Sequence, residues 1–409
     1  MSDTQKHTTP NVPNLSVKRE QKELQIHSAE RETNVERNVP NLRFPGFEGE
    51  WVLIKLKDIA EIKTGPFGSI LHAEDYVSNG IPIITTEHFK TGSLPIEKRG
   101  LPQVSPTDYL RLKSYRLCIN DIVFSRVGSV DINAHVNKEQ EGWLFSGRVL
   151  RVRPNSSINS HYLHWCLSTE KNRANIARRA VGQTMPSINT EILNETKLFI
   201  SDSHSEQDKI ASLLTLVDKR IAIQNKVIEK YESLIKALCH NLIISSNGTV
   251  CHIGDILKIG SGKDYKHLTA GSIPVFGTGG YMLSVSDWLY DGESVCIGRK
   301  GTINNPFYVD GKFWTVDTLF YTYDFEGILP KYCYYLFQTI DWLQYNEASG
   351  VPSLSKSTIE RIQISIPSID EQAKAIQILD RVEMAITCWR KLLNHDESIK
   401  QYLLSQLFI

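Results

Sequence analysis

The chain is one unit written twice, and whatever it folds into must carry that duplication. The first copy opens with LKDIAEIKTG (56–65) and the second with IGDILKIGSG (253–262). IPIITTEHF (81–89) matches IPVFGTGGY (273–281), DIVFSRVG (121–128) matches ESVCIGRKG (293–301), and HYLHWCLST (161–169) matches KYCYYLFQT (331–339). MPSINTEIL (185–193) then matches VPSLSKSTI (351–359), and EQDKIASLLTLVDKRI (206–221) matches EQAKAIQILDRVEMAI (371–386). The offset between partners falls steadily from 197 to 165, so the matches are collinear. The closing segments are most alike and the middles least, as expected of two frames of one kind with different targets.

Each copy closes on a long helix. From Leu214, apolar residues recur at alternating spacings of three and four through Val217, Ile221, Ile228, Tyr231, Ile235, Leu238 and Leu242, with Gln224 as one polar position. The second series runs Leu379, Val382, Ile386, Trp389, Leu393, Ile399, Leu403 and Leu407, with Asp396 as its polar position. Ser205 and Asp370 are the expected N-caps. Each helix covers about 38 residues, roughly 57 Å at ~1.5 Å per residue. Such narrow seams need a partner, and the nearest is the other helix. With chain order globule, helix, globule, helix, the pair becomes an antiparallel coiled coil with a pseudo-twofold axis. Two heads related in this way match the dyad of duplex DNA. At ~3.4 Å per base pair, the helix length caps their separation at roughly 17 base pairs. Because the heads differ, the site read would be bipartite and asymmetric.

Between these frames both globules read as mixed α/β. Strand-like runs are PIIT (82–85), DIVFSR (121–126) and WLFSGRVLRVR (143–153), with PVFG (274–277), SVCIG (294–298) and FWTVDTLFYTY (313–323) in the second copy. Single helices are expected over 160–180 and 330–344. The polar residues on turns that differ between copies are the candidate base or phosphate contacts. They are Lys63, Thr85, Thr86, His88, Arg126, Arg178, Arg179, Gln183 and Ser187 in the first copy. In the second they are Lys263, Lys266, Thr278, Arg299, Lys300, Asn304, Asn305, Ser349 and Ser353. Arg and Lys suit guanine edges, and Asn and Gln suit adenine edges. Others would hold phosphates and set register. Arg126 and Arg299 stand out because they recur at one place in the repeat, shortly before a glycine.

The chain has 409 residues, room for two or three domains at ~150 each. No apolar run approaches the ~18 residues of a membrane span, and the first residues lack an apolar signal core, so a cytoplasmic location is expected. Seven cysteines stand singly with no Cys-x-x-Cys pair, which opposes a disulfide framework and a structural zinc site. Formal net charge is zero. Residues 51–204 carry 19 Lys+Arg against 15 Asp+Glu, whereas residues 249–367 carry 9 against 12. A DNA binder acting alone is usually more basic. Positive groups must therefore cluster on one face, or a partner must share the phosphate contacts.

Catalytic motifs fail on named residues. Asn304-Asn305-Pro306-Phe307 approaches the Asn-Pro-Pro-Phe/Tyr pattern of adenine methyltransferases, but the second position is not Pro and no Gly-rich methyl-donor loop lies upstream. Gly254–Lys263 approaches a phosphate loop, but Leu257 stands where its first Gly belongs and Asp264 where its Ser/Thr belongs. Two other readings stay open: an autonomous methyltransferase or nuclease, and a coiled-coil scaffold whose globules bind proteins.

The repeated helix openings SEQDKIASLLTLVDKRI and DEQAKAIQILDRVEMAI, with NVPNLRFPGFEGEW (38–51), resemble the specificity subunits of type I restriction enzymes over residues 41–409. That resemblance implies an α/β (mixed α+β) tandem repeat. Target-recognition domain 1 would span 41–204 and domain 2 would span 249–368, with conserved helices over 205–246 and 369–409. It also implies partners: double-stranded DNA, two modification (methyltransferase) subunits and two restriction (ATPase/nuclease) subunits. S-adenosylmethionine, ATP and magnesium would act on those other subunits, leaving this chain without catalytic residues, metal or cofactor. Residues 1–40 are charged, poor in apolar residues, and carry a second NVPNL at 11–15; they read as a disordered or partner-ordered tail.

Overall fold

Strands in the two copies pair in one and the same order. In a computed structural model that describes residues 38–66, 70–244 and 248–409, Ala60–Thr64, Val149–Pro154, Ile122–Ser125 and Asn133–His135 lie in that order in an antiparallel sheet. Lys258–Ser261, Leu319–Tyr323, Ser294–Gly298 and Phe307–Val309 repeat that order and direction. A second sheet in each copy contains a parallel pair. Ile83 and Ile84 face Leu144 and Phe145; Val275 and Phe276 face Trp314 and Thr315. A third ladder joins the opening strand of each head to its closing strand. Val52–Lys55 pairs with Lys197–Ile200, Val52 opposite Ile200, and Thr249–His252 pairs with Gln363–Ile366, Thr249 opposite Ile366. The tail expected over 1–40 lies, up to residue 37, outside the described residues.

Two runs expected as single strands are each split between sheets. WLFSGRVLRVR becomes Leu144–Phe145 and Val149–Pro154, and FWTVDTLFYTY becomes Lys312–Thr315 and Leu319–Tyr323. The cause is a close backbone approach at one glycine per copy. A Cβ on Gly65 would lie 2.0 Å from the Ser146 carbonyl oxygen, and one on Gly262 would lie 1.9 Å from that of Val316. Each glycine N–H also bonds just past the turn, Gly65 to the Val149 carbonyl and Gly262 to that of Leu319. The helix expected over 160–180 is likewise two, Ser160–Ser168 and Glu170–Arg178. Thr169 is extended between them, and its hydroxyl accepts the Asn172 N–H. The 330–344 segment is the helix Pro330–Thr339 followed by a 3₁₀ turn, Trp342–Tyr345.

The long helices run His204–Cys239, with a wider π turn at His240–Ile244, and Ile369–Gln406. Their caps are Ser203 and Ser368, not Ser205 and Asp370, which lie inside the first turn. Both caps begin a Ser-x-x-Glu box. The Ser203 hydroxyl accepts the Glu206 N–H, while Ser368 donates its hydroxyl (2.7 Å) and its N–H (3.1 Å) to Glu371. Glu206, fully buried, turns instead to Arg43 at 2.6 Å and to the Ser201 hydroxyl.

The next residue carries one role in both copies. Gln207 Oε1 accepts the Asn159 N–H, the N-cap of Ser160–Ser168, at 2.8 Å, and its Nε2 donates to the Ser201 carbonyl at 2.8 Å. Gln372 Oε1 accepts the N–H of Leu329, the N-cap of Pro330–Thr339, at 2.8 Å, and its Nε2 donates to the Pro367 and Gly327 carbonyls at 2.9 Å. Both side chains are buried.

Backbone contacts divide the chain into two units, Met1–Asp218 with Ser398–Ile409, and Lys219–Glu397. In the first, Trp51, Leu56, Phe124, Tyr162 and Leu163 share a core with Ile210, Leu214 and Leu404 of the long helices and with Leu407 just past the second. In the second, Ile253, Ile297, Tyr332 and Phe337 share one with Cys239, Ala375 and Leu379. The polar seam positions lie in this second unit and meet each other. Gln224 Nε2 donates to Asp396 Oδ2 at 2.6 Å, and Arg220 Nε lies 2.7 Å from the same oxygen. Gln224 and Asp396 are both buried.

Two expected outcomes follow from these contacts. Gln224→Leu removes a donor from a buried carboxylate and lowers unfolding free energy by about 2 kcal/mol. The double variant Gln224→Leu/Asp396→Leu returns close to the starting stability, because an apolar pair replaces a desolvated polar one. Urea unfolding of these two variants and of Asp396→Leu measures this, and simple additivity would contradict the pairing. The second outcome concerns two buried histidines in the first unit. His135 stacks on His161 at 3.7 Å between ring centroids and bonds the Ser160 hydroxyl; His164 bonds Asn133 at 2.6 Å. Burial, with the neighbouring histidines adding repulsion, pushes His135 down to about 3 and His164 well below the ordinary range. Both therefore stay neutral when folded, while the unfolded chain takes up protons below about pH 6.5. Stability is full above that pH and falls below it, by up to about 1.4 kcal/mol per pH unit for each histidine. Thermal melts from pH 7.5 to 5 should show the decline, and His135→Gln should remove its share.

Candidate nucleic-acid interface

In each copy a loop carrying Arg-x-Gly leaves the central antiparallel sheet and is clamped by the same backbone bonds. The Arg126 N–H donates to the Arg148 carbonyl at 3.0 Å, and the Arg299 N–H to the Thr318 carbonyl at 2.8 Å. The Gly128 N–H donates to the Pro186 carbonyl at 2.9 Å, and the Gly301 N–H to the Pro352 carbonyl at 2.8 Å. The Arg126 and Arg299 carbonyls in turn accept the N–H groups of Ile188 and Leu354, both at 2.9 Å. Gly128 and Gly301 sit at φ +83° and +98°, the left-handed region where a side chain is disfavoured.

The two arginine side chains also occupy one place. Arg126 Nη1 donates to the Gly147 carbonyl at 3.0 Å, and Arg299 Nη1 to the Asp317 carbonyl at 3.4 Å, the same position of the same turn. Arg126 is half-buried and Arg299 exposed. Ser187 and Ser353 join them through the bridges Val127–Ser187 and Lys300–Ser353. The residues just before these serines form a second, closed loop. Val181 N–H donates to the Ser187 carbonyl at 2.9 Å, and Glu347 N–H to the Ser353 carbonyl at 3.0 Å. Gln183 and Ser349 sit at its exposed tip, with Met185 and Val351 exposed beside them. Thr278, between Ala270–Gly277 and Gly280–Val285, comes close as well: a Cβ on Gly301 would lie 3.6 Å from its hydroxyl oxygen.

Other candidates are held elsewhere or tied to the fold. Lys63 donates to the Ser114 carbonyl at 3.0 Å over the Tyr115 ring, and Arg179 to the Thr196 hydroxyl at 3.2 Å. Arg178 is exposed at the end of its helix. Thr85 and Thr86 open the 3₁₀ turn Thr86–Phe89, and His88 Nδ1 closes it by accepting the Thr85 N–H at 3.1 Å. Burial holds His88 below the usual histidine range. Lys263 is exposed, but its backbone bonds Thr315 and Trp314. Lys266 follows Asp264, whose carboxylate accepts its N–H. Asn304 and Asn305 are exposed ahead of Phe307–Val309.

Around Arg299 the second copy forms a cleft of about 590 Å³ lined by Ser261, Lys300, Phe320, Glu347 and Lys356. Glu347 is absent from the sequence-based candidates. Its Oε1 accepts from the Thr358 hydroxyl, from the Ser355 hydroxyl at 2.7 Å and from the Ser355 N–H at 3.3 Å. Those bonds, Thr358 first, hold its carboxyl below the usual range. Asn346 Oδ1 fixes the loop from inside by accepting the Ser353 and Ala348 N–H groups at 2.9 and 3.1 Å. The signal was available: carried to Val181 and Glu347, each six residues before its serine, the repeat marks a position where the copies differ in charge.

Among the described residues, no group of three or more His, Cys, Asp or Glu side chains is arranged to hold a metal ion, and no helix is long and apolar enough to cross a membrane. All seven cysteines are free, and burial pushes the Cys166 thiol up to about 12.

Comparison with known proteins bears on both copies. The family model of the type I restriction modification DNA specificity domain matches residues 48–233 and again 246–395. A Methanocaldococcus jannaschii protein, whose assigned name is type I restriction enzyme MjaX specificity subunit, is 24% identical over 417 residues, 88% of this chain and 92% of that one. The EcoprrI specificity subunit of Escherichia coli is 25% identical over 142 residues, 32% of this chain and 35% of its own. Among solved structures, a type I restriction-modification S subunit from M. genitalium superposes with a TM-score of 0.65 at 18% identity, covering 91% of this chain and 99% of that one. A chain from a study of type I complex assembly gives 0.51 at 13% identity, covering 90% and 99%. The last two establish the fold.

The clamp makes a stability prediction of its own. Gly262→Ala forces a Cβ against the Val316 carbonyl and costs about 2–3 kcal/mol. Gly350→Ala, with open space around its Cβ, leaves the melting temperature unchanged. Equal melting curves for the two variants would show that the close approach is not required.

Proposed function

The chain belongs to the family of the type I restriction modification DNA specificity domain, and from that premise we propose that each head reads one half of an asymmetric, bipartite site on duplex DNA. The observation that carries the proposal is the repeated clamp around Arg126 and Arg299. The same backbone bonds hold both, whereas the side chains at the loop tips differ. A constant mount with a variable tip is what two readers of one kind with different targets require. Candidate base contacts are Arg126, Gln183 and Ser187 in the first head and Thr278, Arg299, Lys300, Ser349 and Ser353 in the second. Arg178, Lys263, Lys266, Asn304 and Asn305 are candidate phosphate contacts.

The long helices set the spacer in this reading, as an antiparallel pair with pseudo-twofold symmetry. Contacts within each unit support it. Asp218 bonds Lys400 in the first unit; Arg220 meets Asp396 and Glu232 meets Arg390 at 2.6 Å in the second. Numbers rise on one helix as they fall on the other. Two modification subunits dock on these helices and supply methyl transfer from S-adenosylmethionine. Two restriction subunits supply ATP- and magnesium-dependent cleavage, and this chain reads without reacting. The near-neutral charge supports sharing the phosphate contacts with such partners.

Methylation mapping in cells with and without the gene tests the proposal. A gapped adenine-methylation motif present only with the gene is expected; its absence would favour the scaffold reading. Arg126→Ala and Arg299→Ala should each weaken recognition of a different half-site, by roughly 5- to 150-fold for a lost bidentate contact. Uniform weakening of both halves by either variant would reduce the arginines to phosphate contacts.

A further inference from the structure

The second head lines its basic cleft with a carboxylate, and a carboxylate there is unsuited to phosphate. Arg299, Lys300 and Lys356 line the cleft with Glu347. Any phosphate drawn in by the three cations would meet a fixed negative charge. The Glu347 side chain is also arranged with a clear asymmetry. Oε1 takes all three donors, the Thr358 hydroxyl and the hydroxyl and N–H of Ser355. Oε2 takes none of these, so one oxygen anchors the group and the other is left as an acceptor on a residue that lines the cleft. The loop beneath is stiffened by Asn346 and by the Glu347–Ser353 backbone bond. An oriented acceptor on a rigid loop, beside a repeated arginine, has the form of a base reader.

Resting on the proposal that the heads read DNA, we infer that Glu347 accepts a hydrogen bond from the N4 amino group of a cytosine in the half-site of the second head. Cytosine N4 and adenine N6 are the amino donors of the major groove; adenine sets its N7 acceptor beside N6, which suits an amide and repels a carboxylate, while guanine offers only acceptors there. Ser355 and Thr358 are positioning residues that aim the acceptor. The equivalent residue in the first head is Val181, 68% exposed and without a polar group. The same backbone position therefore presents an acceptor in one head and an apolar surface in the other. That difference is where two copies of one frame acquire different targets.

The test is methylation mapping in the host lacking the gene, complemented with the full-length wild type, Glu347→Gln, or Thr358→Val. Wild type should restore a bipartite motif containing at least one fixed C·G pair in one half. Glu347→Gln keeps an Oε1 acceptor for Ser355 and Thr358 but adds an amide donor that suits adenine. It should lose the preference at a single C·G pair by roughly tenfold, tolerate A·T there, and leave the other half-site unchanged. Thr358→Val should blur the same pair only. An unchanged motif with Glu347→Gln would overturn the inference, since a purely structural Glu347 is replaced silently by Gln. So would an effect centred on an A·T pair, or uniform loss across both halves at normal protein level. If the wild type itself yields no gene-dependent motif, the DNA-reading proposal fails first, and this inference with it.

Discussion

Two buried glutamines couple each head to the helix that follows it. Gln207 and Gln372 stand one turn inside their helices and bond in two directions at once. One end takes the cap N–H of the head's own helix, and the other gives to the carbonyl of Ser201 or Pro367, just past the closing strand. Neither group has water as an alternative partner at that depth, so losing either glutamine would orphan a cap donor and a buried carbonyl together. The core then continues from head into helix without a break, as Leu163 with Leu214 and Phe337 with Leu379 illustrate. A head mounted in this way is not a bead on a string. Its orientation is tied to the helix by short polar bonds on one side and close packing on the other.

Much of this was legible because duplication makes errors visible. The falling offset between copies anticipated the ladder registers: Val52 opposite Ile200 repeats as Thr249 opposite Ile366, displaced by 197 and 166 residues. The heptad seams were legible too, and both polar positions, Gln224 and Asp396, are buried. What periodicity could not supply was that these two meet each other. It also missed breaks caused by a distant backbone. The turn at Ser146 lies where Gly65 passes against it, and the Ser146-Gly147 dipeptide is the one local mark of the place in WLFSGRVLRVR. The helix caps were misplaced by two residues because Ser205 and Asp370 are good cap types; the Glu three residues after Ser203 and Ser368 was the better guide.

The candidate site divides along the same line. Arg126 and Arg299 were legible as a recurrent pair, and the fold gives both one mount. Lys63, His88 and Arg179 were chosen for residue type, and in the fold each bonds its own chain. Glu347 lies outside a candidate set made of basic, amide and hydroxyl groups. In a cleft already rich in cations, the informative side chain is the one of opposite sign, since it limits what can enter.

The opening and closing strands of each head lie side by side in the same register, so everything between them leaves and returns through one narrow doorway. The frame outside meets that doorway, the glutamine behind it and the core shared with the long helix. A stretch of different length can therefore fill the interior without moving the door, as the second copy does with 32 fewer residues between Gly262 and Glu371 than lie between Gly65 and Glu206. On the proposed reading, such a head is an exchangeable cartridge: recombination at the doorway would give the molecule a new half-site in one event.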